Sequence, residues 1–413
     1  MLFDPAIEVR YMSATEQPLS PTPLHLFRCH TSPITALAWS DDNERIYSAD
    51  ASGKVVVTST RTLRAITSWS AHNDSILGVE EWDEQIVTHG RDNKIHVWQR
   101  ITELPSSARI GGSATLSDMQ TPPLCYSMDV NALNFCRFSL LKMSPSPEDK
   151  TPKALLALPN LVDSTTVDVW SLPPQERVHA AIGQEIKKSI FSENPGGRNN
   201  SGIIMSLSLY HQPIDPSSSS IHGRLRVLVA YENGSVVLRE YTRTAKAASI
   251  EGEGWDVVWS AKLHNESIMA MRVSRANTFA LTISADHIVG FYDLTTDLPL
   301  ENHGMPHRMK HPGNASVAIR DDGKICAVGG WDGRIRLFST KSFKPLGTLK
   351  YHRAHCQCIE FAREQGGVTA GGPDEDDDEE DMSPEEKEER CRWLAVGAKD
   401  NRISIWSLIS FAK

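Results

Sequence analysis

One repeated unit restricts the fold of this chain more than any other feature of its sequence. Each copy contains a histidine turn, an apolar strand, a strand of small residues, a tight turn with Asp or Asn, and an alternating strand ending in an aromatic residue. The clearest copies span residues 72–98 and 264–292, and two weaker ones lie at 157–170 and 227–239. A single unit of this kind cannot bury its own apolar face, so successive copies are expected to stack against one another.

The number of copies predicts an all-β, seven-bladed propeller. Seven positions align at the end of the third strand of the unit, and five are aromatic: Thr58, Trp98, Trp170, Arg239, Tyr292, Phe338 and Trp406. The propeller is predicted over residues 24–413, after an extension at 1–23. Because the sequence stops on the third strand of the last copy, residues 24–28 are expected to supply the missing outer strand and close the ring.

The unit resembles the WD40 repeat from about Leu24 to Leu408. In that family a histidine, a Ser or Thr, an Asp and a Trp form a buried hydrogen-bond chain within a blade. The resemblance implies this role for two sets of residues, His72, Thr88, Asp92 and Trp98 in blade 2 and His264, Thr282, Asp286 and Tyr292 in blade 5. A His, a Thr and an Asp could also form a nucleophilic triad, but a reaction needs one site and this set recurs. We therefore expect structural tetrads and no enzyme. The alternative is a propeller hydrolase, which requires a unique carboxylate cluster in the central channel.

Insertions between the repeated strands are expected to decorate both faces of the disc. Five long segments connect first to second or third to fourth strands and are assigned to one face, the bottom: 101–120, 143–152, 211–223, 243–254 and 363–391. Residues 183–201 are assigned to the opposite face, the top. Segment 363–391 lies inside blade 7 and is predicted to be disordered because its acidic side chains repel one another. It is either a solvated spacer or a docking strip for a basic partner, and Ser383 is a candidate phosphorylation site.

A partner-binding surface is predicted on the top face. The residues before the turn aspartates point there and include Arg91, Trp331 and Lys399, and neighbouring histidine loops add further cations, Arg308, Lys310, Lys350 and Arg353. Trp and Arg are frequent at interface hot spots. We expect a basic surface centred on Trp331 that suits an acidic or extended peptide. The alternative is that Trp331 packs on its own neighbours.

Composition narrows the classes of partner and cofactor. The net charge is -9, but residues 374–389 hold twelve acids and one lysine, so the rest of the chain carries about +2. A nearly neutral body lacks the basic face that binding to duplex nucleic acid requires, and no apolar run approaches a membrane span. The seven scattered cysteines and the absence of a signal sequence suggest an intracellular protein. The group from His352 to Cys358 lacks the spacing of a zinc site, so no metal and no cofactor are expected.

Three stretches carry a closer resemblance, residues 313–352, 23–40 and 393–408. They resemble the fungal ASTRA-associated protein 1 family, which is similar to the animal guanine nucleotide-binding protein β-subunit-like protein 1. The resemblance implies a scaffold subunit of the ASTRA complex in the nucleus, linked to chromatin remodelling and, through the TTT co-chaperone, to maturation of phosphatidylinositol-3-kinase-related kinases. Its partners would be other protein subunits, among which it is expected to be a monomer. The alternative is a peptide-binding adaptor in another nuclear or cytoplasmic complex.

Overall fold

Seven four-stranded antiparallel sheets make up the described part of the chain. The computed structural model describes residues 21–101, 119–131, 135–143, 151–184, 201–212, 223–243, 246, 248–296, 304–364 and 383–408. In six blades the strands follow the chain from the innermost to the outermost, and in the seventh the outermost strand comes from the start of the chain. This confirms the predicted seven-bladed propeller.

Blades 1 to 4 follow one another along the chain. Blade 1 contains β2 (Ile34–Trp39), β3 (Arg45–Asp50), β4 (Lys54–Ser59) and β5 (Ala65–Ser70). Blade 2 contains β6 (Ile76–Trp82), β7 (Gln85–Gly90), β8 (Lys94–Gln99) and β9 (Leu124–Asp129). Blade 3 contains β10 (Ser139–Met143), β11 (Lys153–Pro159), β12 (Val167–Leu172) and β13 (Glu176–Ile182). Blade 4 contains β14 (Ile204–His211), β15 (Leu225–Tyr231), β16 (Ser235–Tyr241) and β17 (Trp255–Lys262).

Blades 5 to 7 complete the ring. Blade 5 contains β18 (Ile268–Val273), β19 (Phe279–Ser284), β20 (Ile288–Asp293) and β21 (Gly304–Arg308). Blade 6 contains β22 (Asn314–Ile319), β23 (Ile325–Gly330), β24 (Arg334–Ser339) and β25 (Pro345–Lys350). Blade 7 contains β26 (Cys356–Phe361), β27 (Trp393–Ala398), β28 (Ile403–Ser407) and β1 (His25–Phe27).

The hydrophobic core is divided among the junctions between blades. Each of seven clusters of buried side chains joins residues of two neighbouring blades. Trp82 of blade 2 packs with Phe138 before blade 3, for example, and Tyr210 of blade 4 packs with Met271 of blade 5. Successive side chains along a strand point to opposite faces of the sheet, and both faces are apolar. Each sheet therefore buries one face against the preceding blade and the other against the next. Each blade therefore depends on both of its neighbours.

The first strand closes the ring as predicted. β1 pairs antiparallel with β28, placing His25 opposite Ile405 and Phe27 opposite Ile403. Phe27 is buried in the cluster between blades 7 and 1, which also contains Trp39 and Trp393. Pairing the two ends of the chain leaves no open edge between first and last blades, which is how closed β structures avoid unwanted strand addition.

The acidic segment of blade 7 differs from its prediction at its C-terminal end. Residues 365–382 lie outside the described residues, but Pro384–Arg390 forms the short helix α1. The Ser383 hydroxyl caps this helix by accepting the Glu386 N–H, and the Glu386 carboxylate accepts the Ser383 N–H in return. At the other end the buried Arg390 guanidinium donates to the Thr60 carbonyl of blade 1 and lies over the Trp393 ring, 5.1 Å from its centroid. Reasoning from charge repulsion overlooked this capping box and its basic anchor.

The remaining long segments connect the strands expected of them, although much of their length lies outside the described residues. Part of the blade 4 segment 243–254 is described and runs beside the outer strand of blade 3. The Ser249 N–H donates to the Val178 carbonyl at 2.9 Å, and the Ala180 N–H donates to the Ser249 carbonyl at 3.1 Å. The described residues contain no helix long and apolar enough to cross a membrane.

Candidate functional site

The predicted blade 2 residues meet in one buried hydrogen-bond chain. His72 Nδ1 lies 2.9 Å from the Asp92 carboxylate, and its Nε2 lies 2.9 Å from the Thr88 hydroxyl, which also accepts the Trp98 indole N–H at 3.0 Å. Burial lowers the pKa of His72 although the Asp92 charge opposes that shift. The chain pairs every polar side-chain group in it and holds the loop before the blade to the turn between its second and third strands.

Blade 5 repeats three of the four members. His264 Nδ1 lies 3.1 Å from Asp286 Oδ2, and its Nε2 lies 2.7 Å from the Thr282 hydroxyl. The predicted fourth member differs, because the buried Tyr292 hydroxyl faces Thr282 but makes no hydrogen bond within 3.5 Å among the described residues. The Tyr292 ring instead stacks on Trp259, with centroids 5.8 Å apart and planes 2° apart.

Blade 7 contains a complete tetrad that the sequence analysis did not identify. His352 Nδ1 contacts the Asp400 carboxylate at 3.0 Å, and Nε2 lies 2.8 Å from the Ser404 hydroxyl, which accepts the Trp406 indole N–H at 2.8 Å. The hydroxyl comes from the third strand, where Ser404 is paired with Val396, rather than from the second strand as in blade 2. A pattern search tied to the second strand therefore missed it.

In blades 1 and 6, different polar contacts hold the aspartate at the turn between the second and third strands. In blade 1, His30 bridges Asp50 at 2.7 Å and Ser48 at 2.9 Å. In blade 6 no histidine contacts the turn aspartate, and the Arg336 guanidinium binds both oxygens of Asp332, at 3.1 and 2.5 Å. In blades 2, 5, 6 and 7 the anchored aspartate fixes the turn between the second and third strands, so the residue before it is presented on the top face. In blade 1 Asp50 instead ends the second strand, and the residue before it, Ala49, is buried.

These His and Asp sets recur around the ring, which favours a structural role for them over a catalytic one. Carboxylates on the innermost strands, which surround the central channel, are also paired. Glu80 contacts Arg137 at 3.1 Å, and Glu360 contacts Arg272 at 2.8 Å. Both glutamates act on Arg272, so they belong to one ion-pair network, and their pairing with arginines favours a structural role over that of a free general acid or base.

The structure also bears on metal binding. Among the described residues, His72, Asp92 and His96 bring ligand atoms within 4.8 Å of one another. Both ring nitrogens of His72 already take part in the tetrad, so a metal there would have to break it. Burial raises the pKa of the Cys356 thiol to about 12, which disfavours the thiolate that zinc requires. Neither group makes a convincing metal centre.

Trp331 stands at the centre of the most distinctive part of the top face. Its side chain is 41% exposed, and its ring stacks on His355 with centroids 5.6 Å apart and planes 13° apart. Gly313 lies against the other part of the indole, where an added Cβ would come within 2.9 Å of the ring. Trp331 therefore packs on its own neighbours, as one hypothesis stated, and also leaves part of its indole open to solvent, as a contact surface requires.

Exposed cations lie along the groove between blades 6 and 7, next to Trp331. Lys350, Arg353, Lys399 and Arg402 are exposed, and none of them forms an ion pair within the described part of the chain. The Lys399 N–H donates to the His355 carbonyl at 2.9 Å, which joins the blade 7 turn to the stacked pair. Sequence analysis anticipated three of these cations but overlooked Arg402. The predicted Arg308 and Lys310 are exposed at the top of blade 5, where the next loop begins.

Arg91 belongs to a different part of the top face. Its guanidinium lies 4.8 Å from the centroid of the Phe135 ring, at the junction of blades 2 and 3. Phe135 is 52% exposed, and the nearby blade 3 turn exposes Leu161 and Val162, at 49% and 90%. This apolar surface was not predicted, because the aspartate of this turn, Asp163, lies seven residues before Trp170, whereas the turn aspartates of blades 2, 5, 6 and 7 lie six residues before their aromatic residue. The top face therefore has a basic aromatic side and an apolar side.

Comparison with known proteins identifies relatives over almost the whole chain. A family model described as ASTRA-associated protein 1 matches residues 23–404. The chain is 31% identical to ASTRA-associated protein 1 of Verticillium alfalfae, over 96% of this chain and 95% of that protein. It is 30% identical to the protein of that name from Penicillium rubens, covering 94% and 97%, and 26% identical to the one from Schizosaccharomyces pombe, covering 94% and 99%.

Proposed function

Since the chain belongs to the ASTRA-associated protein 1 family, we propose that it is a non-catalytic scaffold subunit of the ASTRA complex. The proposal includes a nuclear location and the links to chromatin remodelling and to maturation of phosphatidylinositol-3-kinase-related kinases that the family resemblance implies. Its partners are the other protein subunits, and neither nucleic acid nor a membrane is a direct ligand.

The observation that carries the scaffold role is the open indole of Trp331 among cations without ion-pair partners. An exposed tryptophan next to exposed arginines is the composition of a binding hot spot, and it lies on a rigid support. The ion pair between Arg336 and Asp332 in blade 6 and the buried tetrad of blade 7 hold the turns on the two sides of this surface in place. We infer that the buried polar networks keep the top face in a fixed shape and that the surface around Trp331 binds the partner.

Affinity purification followed by mass spectrometry tests this function. Tagged wild-type chain is compared with Trp331→Ala, with a deletion of residues 374–389, and with Leu346→Ala as a control. Leu346 is 40% exposed, like Trp331, but lies on the outer strand of blade 6. We expect wild type and Leu346→Ala to recover ASTRA subunits in stoichiometric amounts, and Trp331→Ala to lose at least one of them.

Recovery of stoichiometric partners that include no ASTRA subunit would replace this proposal with that of an adaptor in another complex. Loss of partners only on deletion of residues 374–389 would move the interface to the bottom face. Fluorescence imaging of the tagged chain tests the nuclear location independently, and exclusion from the nucleus would contradict it.

A further inference from the structure

A small cavity opens where the groove between blades 6 and 7 reaches their outer strands. Its volume is about 480 Å³, and it is lined by Lys350, Tyr351, Arg353, Asp400 and Arg402. The Arg402 guanidinium donates to the Tyr351 hydroxyl at 3.2 Å, which joins two of the lining residues. Three cations and one carboxylate give the lining a formal charge of +2.

The carboxylate in this lining is already committed elsewhere. Asp400 holds His352 Nδ1, at 3.1 and 3.0 Å from its two oxygens, and none of the three cations forms an ion pair within the described residues. A phosphate monoester carries close to two negative charges and three strong acceptor oxygens, and so matches a lining of charge +2 that is rich in donors. A single side-chain carboxylate would leave about half of that charge unmatched.

The inner end of the same groove has a different chemistry. On six of the seven innermost strands the pairing register shifts around the second residue, as a β-bulge does. The six residues at these shifts are Thr35, Leu77, Met205, Met269, Ala315 and Gln357. None of them is buried, although the residue before each one is. Since a bulge re-aims a side chain, these residues form a rim around the top mouth of the channel. The groove between blades 6 and 7 reaches this rim at Ala315 and Gln357, and the large apolar rim residues lie on blades 2, 4 and 5.

Strand spacing sets the distance between the rim and the cavity. Neighbouring strands lie about 4.8 Å apart, so the innermost and outermost strands of a blade are about 14 Å apart. An extended chain covers about 3.4 Å per residue, and four residues therefore bridge the two ends. The stacked Trp331 and His355 lie between them, where they can support an extended backbone.

We propose that this groove binds an extended segment of a partner protein through a phosphorylated serine or threonine in the cavity, with about four further residues of the segment running along the groove to the channel mouth. The inference rests on the proposed function, because it specifies what the scaffold recognises. It makes binding depend on phosphorylation of the partner, so that assembly of the complex responds to a kinase.

Fluorescence anisotropy with synthetic peptides tests the proposal on the full chain. The probe is a labelled peptide with phosphothreonine at its centre and four alanine or glutamine residues on each side of it, so that either chain direction is served. Its twins carry threonine or aspartate at the centre. We expect the phosphopeptide to bind at least tenfold more tightly than either twin.

Variants locate the binding site. Arg353→Ala combined with Arg402→Ala should weaken phosphopeptide binding at least tenfold, whereas Trp331→Ala should weaken binding several-fold for both the phosphopeptide and the threonine twin. The matched control is Arg243→Ala combined with Lys246→Ala, since these cations line a second cavity at the bottom of blade 4. That control should bind like wild type.

Three results would overturn the proposal: undetectable binding of the phosphopeptide, equal affinity for the aspartate twin, or unchanged affinity in the Arg353 and Arg402 double variant. If any of these occurred while Trp331→Ala still lost ASTRA subunits in the purification, the scaffold function would stand and phosphate recognition would fall. If the peptides bound as expected but no ASTRA subunit was recovered, the opposite would hold.

Discussion

The blade 2 tetrad and the groove between blades 6 and 7 use the same kinds of side chain in opposite surroundings. Trp98 is 8% exposed and donates its indole N–H to Thr88, whereas Trp331 is 41% exposed and rests on His355. In the tetrad the polar side-chain groups have partners, and in the groove the cations form no ion pair within the described residues. The comparison shows that surroundings, more than residue type, decide whether such side chains stabilise the fold or remain available to a ligand.

The energetic reason is the cost of burying a polar group. A buried donor or acceptor without a partner costs about 1–3 kcal/mol, so every member of the tetrad depends on the others. An exposed cation keeps its water and has no such dependence. Changes in the tetrad should therefore appear as lost stability, and changes in the groove as lost binding.

The largest effect of removing a single hydrogen-bonding group is expected from Thr88→Val. Valine has nearly the shape of threonine but removes the hydroxyl that serves both His72 and Trp98, leaving two buried groups unpaired. We expect a loss of about 2–5 kcal/mol in the free energy of unfolding. Urea unfolding followed by tryptophan fluorescence measures it.

Thr282→Val is the matched control for this variant, because the Thr282 hydroxyl serves His264 but has no hydrogen bond within 3.5 Å to Tyr292. It should lose about 1–3 kcal/mol. Equal losses at the two positions would show that the indole bond of blade 2 contributes nothing, and the tetrad would then be no more than packing.

A smaller effect is expected from mild acid. Burial lowers the pKa of His72, His264 and His352, and that of His89 to about 3. The folded chain then binds fewer protons than the unfolded chain below pH 6.5, so stability should fall as the pH drops from that value. Each such histidine contributes at most about 1.4 kcal/mol per pH unit.

The pKa of His30 in blade 1 is raised instead, which limits the loss of stability in acid. Although burial opposes it, the hydrogen bond to Asp50 raises the pKa of His30. The contribution of His30 to the free energy of unfolding is complete below pH 6.5 and is lost as the pH rises through the pKa of His30 in the folded chain. We expect the urea midpoint to be lower at pH 5.5 than at pH 7.5. A constant midpoint would mean that these histidines bind protons equally well in the folded and unfolded chains.

The smallest effect on stability is expected in the groove. Trp331→Ala should change the free energy of unfolding by less than about 1 kcal/mol, whereas Trp98→Ala should cost about 3–5 kcal/mol because it empties a buried site. Thermal melting of the two variants gives the comparison directly. Similar losses would show that Trp331 belongs to the fold and would remove the physical basis of the proposed surface.

Particular residues show how far the sequence could be interpreted on its own. The spacing of Trp98 from Asp92 was sufficient to place both in one blade, because a WD-type strand and turn have a fixed length. Ser404 escaped notice because a hydroxyl from the third strand can occupy the same place as one from the second. Arg336 escaped because an ion pair replaces the histidine. In each case a different side chain occupies an equivalent position in its blade. The order of residues in the sequence does not show that equivalence.

The contact surface, too, could be predicted only in part from the sequence. Placement of Trp331 and Lys399 on the top face followed from their positions before turn aspartates. That Arg91 lies instead with Phe135, and that Arg402 completes the cavity beside Arg353, depended on how blades seven and two lie around the ring. Likewise, helix α1 depended on a contact between Arg390 and the distant Thr60.

Periodicity alone determined the architecture of this protein: seven sheets, their order, and closure by the first strand. These follow from local rules, since strand length, turn chemistry and alternation of apolar residues act between neighbours in the chain. Tertiary structure alone decided which polar groups are paired and which are left open. That distinction depends on distances between residues far apart in sequence, and it separates the network that holds the propeller together from the groove that is free to bind.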